Sequence, residues 1–142
     1  MAKINFIVED VDIRFFKNKE KIRSWIKEVL ASHKAKPVEI NYIFCSDEYL
    51  LKVNKEYLNH DYYTDIITFD NSEKAGEIES DIFVSIDRIR DNAIAHNETF
   101  DREFHRVLIH GILHLVGYKD KTEDDEAKMR EKENQCLAII DI

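Results

Sequence analysis

Two histidines four residues apart, His110 and His114, carry the clearest chemical signal in this sequence. If the segment around them is helical, one turn separates the side chains and both imidazoles project from the same face. The surrounding run, VLIHGILHLV, is otherwise apolar, and a buried imidazole is costly unless something binds it. The spacing therefore indicates two ligands of one transition-metal ion, although histidine pairs at this spacing also occur by chance.

A third ligand is expected just beyond this segment. Gly117 is predicted to end the helix and to let the chain turn back toward the two imidazoles. Asp120, ten residues after His110, is then in a position to bind the same ion. Two neutral imidazoles and a carboxylate suit Zn²⁺ with an open coordination position, which is the pattern of a catalytic site.

Gly111 stands between the two histidines, where the H-E-x-x-H motif of metalloproteases has its general-base glutamate. Peptidase chemistry of that type would therefore lack its base. A glycine inside a helix costs about 1 kcal/mol relative to alanine. We therefore expect a packing reason for Gly111, namely a strand or loop that passes close to the helix.

Hydrophobic periodicity predicts the elements that hold these residues. Runs rich in β-branched and aromatic residues predict strands, and amphipathic stripes predict helices. The strands are predicted at residues 4–8, 38–45, 64–70 and 80–86, and the helices at residues 18–33, 47–57, 86–96, 99–116 and 122–138. Because strands and helices do not alternate strictly, we expect an α+β fold in which about five helices cover a small mixed β-sheet of about four strands.

Length and composition are typical of a compact cytoplasmic protein. The chain has 142 residues, 44% of them hydrophobic, which is enough to bury a core without disulfide bonds. Its two cysteines, Cys45 and Cys136, form no C-x-x-C pair and indicate a reducing compartment. The length predicts a single domain over residues 1–142. Because no run resembles a signal peptide or a membrane span, we expect no membrane partner.

The charge is distributed unevenly along the chain. The net charge is −8, but residues 14–36, the basic segment, hold eight Lys or Arg against two Glu, a local charge of +6. A basic segment on an acidic body can be an electrostatic footprint for nucleic acid, with Arg23 and Lys27 as candidate RNA contacts. The same pattern is also typical of a solvated helix face.

The segment HGILHLVGY, residues 110–118, resembles the H-G-x-L-H-L-x-G-Y signature of the YbeY family of ribosome-associated, metal-dependent endoribonucleases. The resemblance extends to VNKEYLNHDYYTDIITFD at residues 53–70, SDIFVSIDRIRDNA at residues 80–93 and EDDEAKMREKE at residues 123–133. It implies a zincin-like domain with one Zn²⁺, or another divalent ion, per chain. The implied function is cleavage of single-stranded RNA in the maturation of the 3′ end of small-subunit ribosomal RNA and in ribosome quality control. The implied partners are ribosomal RNA, the small ribosomal subunit and ribosome-associated proteins.

The third metal ligand departs from the family pattern. The family usually has D-H after G-Y, and that histidine is its third ligand. Without a gap, the equivalent residue here is Asp120, whereas a one-residue insertion would place Lys121 there. We favour Asp120, since a carboxylate is a normal Zn²⁺ ligand and a protonated lysine is a poor one.

The loop before the third predicted strand carries the candidate RNA contacts. Leu58 stands where the family has an arginine thought to face substrate phosphate, and a leucine cannot do so. His60 could partly replace it or could simply be exposed. Tyr62 and Tyr63 are candidates for stacking on the bases of single-stranded RNA.

Three further residues are candidate catalytic groups. Thr64 and Asp65 match the T-D of the family and are expected near the cleft, although they could equally cap the start of a strand. Glu103 lies seven residues before His110, on the same side of the helix. It could accept a hydrogen bond from a ligand histidine or from a neighbour, or it could stabilise the helix N-terminus.

Three classes of function therefore remain open. The first is a single-strand endoribonuclease that acts on ribosomal RNA. The second is a non-catalytic ribosome-assembly factor with a structural metal, in which Leu58 marks lost catalysis. The third is another metal-dependent hydrolase on a zincin-like scaffold, and the absence of the H-E-x-x-H glutamate counts against it.

Overall fold

The structure is a computed structural model that describes residues 3–141, and its elements follow the predicted order. The strands are β1 (Lys3–Val8), β2 (Lys36–Cys45), β3 (Ile66–Asp70) and β4 (Glu77–Ser85). The helices are α1 (Lys19–Ser32), α2 (Asp47–Leu58), α3 (Ile86–Ala95), α4 (Phe100–Leu115) and α5 (Glu123–Ala138). Every predicted strand and helix is present, and the largest boundary difference is the start of β4, which begins three residues earlier than predicted.

The four strands form one mixed sheet in the order β1-β2-β4-β3. β2 pairs in parallel with both β1 and β4, whereas β3 pairs antiparallel with β4. The prediction of a small mixed sheet covered by helices is thus confirmed. β3, which follows the loop at residues 59–65, lies at one edge of the sheet.

Alternation along the strands separates the two faces of this sheet. On one face, Ile40, Tyr42 and Phe44 of β2 join the main core with side chains of α1 and α4. The Tyr42 hydroxyl is fully buried and donates a hydrogen bond to the Leu108 carbonyl of α4 at 2.9 Å. On the other face, α2 packs over a smaller cluster that includes Cys45.

The helix α4 is the central helix of the fold, because it packs against the sheet, α3 and α5. Its glycine has the packing reason predicted from the sequence. A Cβ atom at Gly111 would lie 2.9 Å from Ile66 Cδ1 and 3.5 Å from side-chain atoms of Thr68 and Ile82. The glycine therefore lets α4 approach β3 and β4 closely, and this seats the histidine-bearing turn against the sheet.

Side-chain caps define the ends of the two helices that carry the site. The Thr99 hydroxyl accepts a hydrogen bond from the Arg102 amide at the start of α4, as predicted. The Thr122 hydroxyl accepts from the Asp125 amide at the start of α5. Between the helices, Gly117 has a φ of +110°, a conformation that favours glycine, and the chain turns there toward α5.

Candidate metal centre and active-site cleft

Three side chains converge at the C-terminal end of α4, those of His110, His114 and Asp120, and we call this set the metal corner. One ligand atom from each of His110, His114 and Asp120 can be chosen so that all three atoms lie within 4.8 Å of one another. Asp120 Oδ2 lies 3.1 Å from His114 Nε2 and 3.5 Å from His110 Nε2. The turn at Gly117 brings Asp120 back over the helix, and the described contacts bring Asp120, rather than Lys121, to the two imidazoles.

The opposite nitrogen of each ring has a partner of its own. His110 Nδ1 lies 2.6 Å from Glu133 Oε2, and His114 Nδ1 lies 3.0 Å from the Tyr118 carbonyl oxygen. A carbonyl oxygen can only accept, so His114 Nδ1 donates, and in the neutral ring the Nε2 lone pair faces Asp120. Such contacts orient metal-binding imidazoles in other proteins.

This arrangement fits a divalent metal ion. Where both Nδ1 atoms donate and the rings are neutral, two nitrogen lone pairs face one carboxylate oxygen. Acceptors that face each other repel unless a proton or a metal cation lies among them. Two imidazole nitrogens and a carboxylate oxygen form a donor set that suits Zn²⁺ and other first-row divalent ions.

Glu133 on α5 contacts the metal corner through His110 Nδ1. Its Oε1 accepts from Arg106 Nη1 at 3.0 Å while its Oε2 faces His110, and Glu133 and Arg106 are both buried. Burial alone would raise the pKa of Glu133, but its partners His110 and Arg106 lower it overall. Burial alone would likewise lower the pKa of His110, yet Glu133, together with Asp65 and Asp120, raises it. The apo-protein therefore favours an ion pair at this position.

A cleft of about 310 Å³ runs from this corner along α4. Its walls come from the loop before β3 and from α3, α4 and α5. It is lined by Asp65, Asn92, His96, Glu103, Arg106, Val107, His110, Asp120, Glu126, Met129, Arg130 and Glu133. The structure thus brings two of the three candidate catalytic residues, Asp65 and Glu103, into the same cleft as the metal corner.

Asp65 is partly buried beside β3 and accepts a hydrogen bond from Asn92 Nδ2 at 3.2 Å. Burial raises the pKa of this carboxyl group above its ordinary value, although the nearby His110 acts in the opposite direction. Thr64, one residue earlier, donates a hydrogen bond from its hydroxyl to the Ile66 carbonyl at 3.5 Å. That bond matches the strand-start role considered for Thr64, which does not line the cleft.

Glu103 lies two turns before His110 on α4. Glu133, and not Glu103, forms the hydrogen bond with His110. The nearest basic side chain to Glu103 is His96, whose Nδ1 lies 3.8 Å from Glu103 Oε2. Glu103 is 4% exposed, so it is a buried carboxylate rather than a solvated first-turn residue.

The loop before the cleft holds the other candidate RNA contacts. His60 and Tyr62 are exposed, their rings stack with centroids 5.1 Å apart, and Tyr62 Oη lies 3.0 Å from His60 Nδ1. The Tyr63 hydroxyl donates to Glu48 at 2.5 Å, and the Arg88 guanidinium lies 5.4 Å from the centre of the Tyr63 ring. Tyr62 is thus the freer of the two tyrosines for a base.

The basic segment, residues 14–36, contributes no residue to the cleft lining. Arg23 Nε donates to the Ile4 carbonyl at 2.7 Å, and its guanidinium lies 4.9 Å from the centre of the Phe6 ring. Arg23 is also paired with Glu20. Lys27 is exposed on α1, and neither Arg23 nor Lys27 lines the cleft.

Sequence reasoning missed six polar residues of this cleft: Asn92, His96, Arg106, Glu126, Arg130 and Glu133. Only Glu133 had a usable signal, because it falls on one helical stripe with Met129, Cys136 and Leu137, the buried side of α5. A glutamate on a buried stripe requires a partner.

A family model described as endoribonuclease YbeY matches residues 3–141. A protein named endoribonuclease YbeY from Cytophaga hutchinsonii is 52% identical over 136 residues, which cover 96% of this chain and 94% of that protein. Its namesake from Flavobacterium johnsoniae is 50% identical over 125 residues, 88% of this chain and 89% of that protein.

A solved structure agrees with these matches. The solution structure of TM1509 from Thermotoga maritima superposes with a TM-score of 0.64 at 28% identity, covering 94% of this chain and 86% of that one. The family model's match over residues 3–141 includes the two histidines, the turn after them and helix α5. The chain belongs to the endoribonuclease YbeY family.

Proposed function

We propose that this protein is a metal-dependent endoribonuclease that hydrolyses phosphodiester bonds of single-stranded RNA, and that it acts in the maturation of ribosomal RNA. The observation that carries the proposal is the convergence of His110, His114 and Asp120 at one end of a cleft in a member of this family. We place its action at the 3′ end of the small-subunit RNA and in ribosome quality control, in the cytoplasm, with the small ribosomal subunit and ribosome-associated proteins as partners. Among residues 3–141, no helix is long and apolar enough to cross a membrane.

His110, His114 and Asp120 are the residues that would hold the ion, for which we propose Zn²⁺, one per chain. When bound, such an ion supplies Lewis acidity toward water and toward the phosphoryl oxygens of the substrate. Glu133 and the Tyr118 carbonyl hold the two imidazoles in the orientation that this requires. An arrangement fixed in this way needs little reorganisation when substrate binds.

Asp65 is the group that we propose exchanges a proton during the reaction. It lines the cleft together with His110, and burial raises the pKa of its carboxyl group toward the neutral range in which proton transfer is efficient. Asn92 holds Oδ2 of this carboxylate. Thr64 would act only through the position of Asp65.

Arg130 supplies a positive charge at the metal end of the cleft. Its side chain is 51% exposed, and its Nη1 lies 3.7 Å from Oε1 of Glu133, the residue that contacts His110. Arg106 is buried against Glu133, so Arg130 is the cation that remains accessible to a phosphate group. We propose that it assumes part of the role that Leu58 cannot fill, with His60, Tyr62 and Tyr63 as base contacts nearby and Arg23 and Lys27 as more distant RNA contacts.

A non-catalytic role in ribosome assembly is the second candidate. The observation that favours it is Leu58, which is 40% exposed at the end of α2 and offers no charge to a phosphate group. In that case the ion would only stabilise the junction of α4 and α5.

The test is cleavage of a single-stranded RNA oligonucleotide by the zinc-supplied protein and by its His114→Ala variant. His105→Ala is the matched control, because His105 lies on the same helix but packs against Trp25. We expect cleavage by the wild type and the control and background cleavage by His114→Ala. Undiminished cleavage by a folded His114→Ala protein would refute the proposal that cleavage depends on the metal. Ribosome binding without cleavage by the wild type would favour the assembly role.

A further inference from the structure

The cleft extends beyond the metal corner to the junction of α3 and α4. Three polar side chains line this end, Asn92 and His96 from the C-terminal end of α3 and Glu103 from the first turn of α4. We call them the α3–α4 subsite. Glu103 lies seven residues before His110, so the subsite is roughly 10 Å along the helix axis from the metal corner.

Glu103 has an unsatisfied carboxylate oxygen. The side chain lines the cleft and the residue is 4% exposed, yet among the described residues no donor forms a hydrogen bond with its Oε2. The nearest basic side chain is His96, whose Nδ1 lies 3.8 Å from Oε2, which is too far for a hydrogen bond. A buried carboxylate oxygen without a donor costs free energy, and functional sites are where such a cost is retained. The carboxylate therefore requires a donor that a ligand can bring.

The charges along the cleft indicate which part of an RNA strand the α3–α4 subsite accepts. The metal corner and the half-exposed Arg130 form an end that attracts phosphate. The α3–α4 subsite contributes one carboxylate, one amide and one imidazole, and its carboxylate repels phosphate. Nor does it match a second metal site, since within residues 3–141 the only convergent set of three ligands is the one at the metal corner.

We propose that the α3–α4 subsite binds a guanine base of the RNA strand beside the cleaved phosphate, with the Glu103 carboxylate as the acceptor. This inference rests on the proposed endoribonuclease function. Guanine presents two adjacent donors, N1–H and the 2-amino group, that one carboxylate accepts together. Uracil presents a single N–H flanked by two carbonyl oxygens, which a carboxylate repels.

The two neighbours of Glu103 complete this recognition. His96 is 50% exposed, and its ring provides a surface on which the base stacks. The Asn92 amide is held by Asp65 through its Nδ2, so its carbonyl oxygen remains as a second acceptor on the same wall. The proposed proton-transfer group, Asp65, thus borders the base-binding residues, and a base bound there positions the adjoining phosphate.

The first experiment sequences the cut sites in a randomised single-stranded RNA pool treated with zinc-supplied wild type, Glu103→Gln and Glu98→Gln. Glu98 is the matched control, since it lies in the same α3–α4 connection but pairs with Arg102 and does not line the cleft. We expect roughly tenfold enrichment of guanine at one fixed position in the wild type and the control, and its loss in Glu103→Gln with retained metal content. Absence of base preference in the wild type, or guanine preference that persists in Glu103→Gln, would overturn the proposal.

The second experiment does not depend on cleavage. Guanosine monophosphate and uridine monophosphate are titrated into the protein stripped of metal with EDTA, and the amide signals of Asn92 and His96 are followed by NMR. We expect these signals to shift with the guanine nucleotide only, and the response to vanish in Glu103→Gln. Equal responses to both nucleotides would overturn the subsite. If the wild type cuts no RNA, the proposed function fails on its own, and this titration still decides whether guanine binds.

Discussion

The two ends of the cleft differ in how their polar atoms are satisfied. At the metal corner, each histidine ring is held on its Nδ1 side, and Glu133 is bound by both His110 and Arg106. At the α3–α4 end, Glu103 is equally buried, but its Oε2 has no donor among the described residues. The acceptor oxygens of Glu133 are thus both paired, whereas the Glu103 Oε2 acceptor at the second end is not. Two buried glutamates on neighbouring helices can thus have opposite energetic roles.

Among the substitutions that test this difference between the two ends, replacement of Glu133 should have the largest effect on stability and metal affinity. Glu133→Ala leaves Arg106 buried without its partner and frees the His110 ring. We expect a loss of about 3–5 kcal/mol in the free energy of unfolding and a loss of about 10- to 100-fold in metal affinity. Urea unfolding and a competitive zinc titration would measure both, with Glu131→Ala, an exposed glutamate of the same helix, as the control. A variant as stable as the wild type would mean that the metal corner is not held in this way.

The ion pair at the metal corner should also give the metal-free protein a characteristic dependence on pH. Glu133 has a lowered pKa, so its contribution is present above its ordinary value of 4.5 and is lost as the pH falls through the lowered value. His110 has a raised pKa, so its contribution is present below its ordinary value of 6.5 and is lost as the pH rises through the raised value. The pair therefore stabilises the fold most between these two values.

Glu133→Gln should remove that dependence. Urea unfolding in EDTA would compare wild type and variant at about pH 5.5 and about pH 8. We expect the difference in unfolding free energy between them to be larger at the lower pH. A difference that is the same at both values would show that His110 and Glu133 do not share an ion pair in the metal-free protein.

Features of the fold and the site that depend on local interactions could be predicted from the sequence, whereas those that depend on contacts between distant segments could not. The helix that carries His110 and His114 is set by local periodicity and by the Thr99 cap, so its position and the shared face of the two histidines could be predicted. The sequence predicted that a strand or loop passes close to Gly111, but it could not identify Ile66 as the neighbour.

The supporting contacts were beyond prediction because they join distant segments. The contact of Glu133 with His110 spans 23 residues and depends on how α5 docks on α4. The strand order β1-β2-β4-β3, which brings Asp65 beside α4, likewise depends on long-range pairing. Resemblance to a family indicated Asp65, and helical spacing from His110 indicated Glu103, but neither signal identified their partners.

Arg130 tests whether phosphate is bound at the metal end. Arg130→Ala should raise KM for an RNA oligonucleotide roughly fivefold and leave kcat nearly unchanged, because an exposed ion pair contributes about 1 kcal/mol. Lys128→Ala, on an exposed position of the same helix outside the cleft lining, is the matched control. Steady-state kinetics at low salt would measure the difference, and an equal effect of both substitutions would indicate nonspecific attraction.

The smallest expected effect is the change in the free energy of unfolding when Glu103, the other buried glutamate, is replaced. Glu103→Gln replaces an unsatisfied charge with a neutral amide of the same shape. We expect no loss in the free energy of unfolding and a gain of up to about 1 kcal/mol. Urea unfolding beside Glu133→Gln would measure the contrast, and a large loss at Glu103 would mean that the two glutamates are equally bound.

The central claim is that His110, His114 and Asp120 form a single metal site. Elemental analysis of the purified wild type beside His114→Ala, Asp120→Ala and Lys121→Ala, each supplied with zinc and then desalted, tests it most directly. The account predicts about one zinc per chain in the wild type and in Lys121→Ala, and its loss in the other two variants. Metal that is retained in Asp120→Ala, or absent from the wild type, would contradict it.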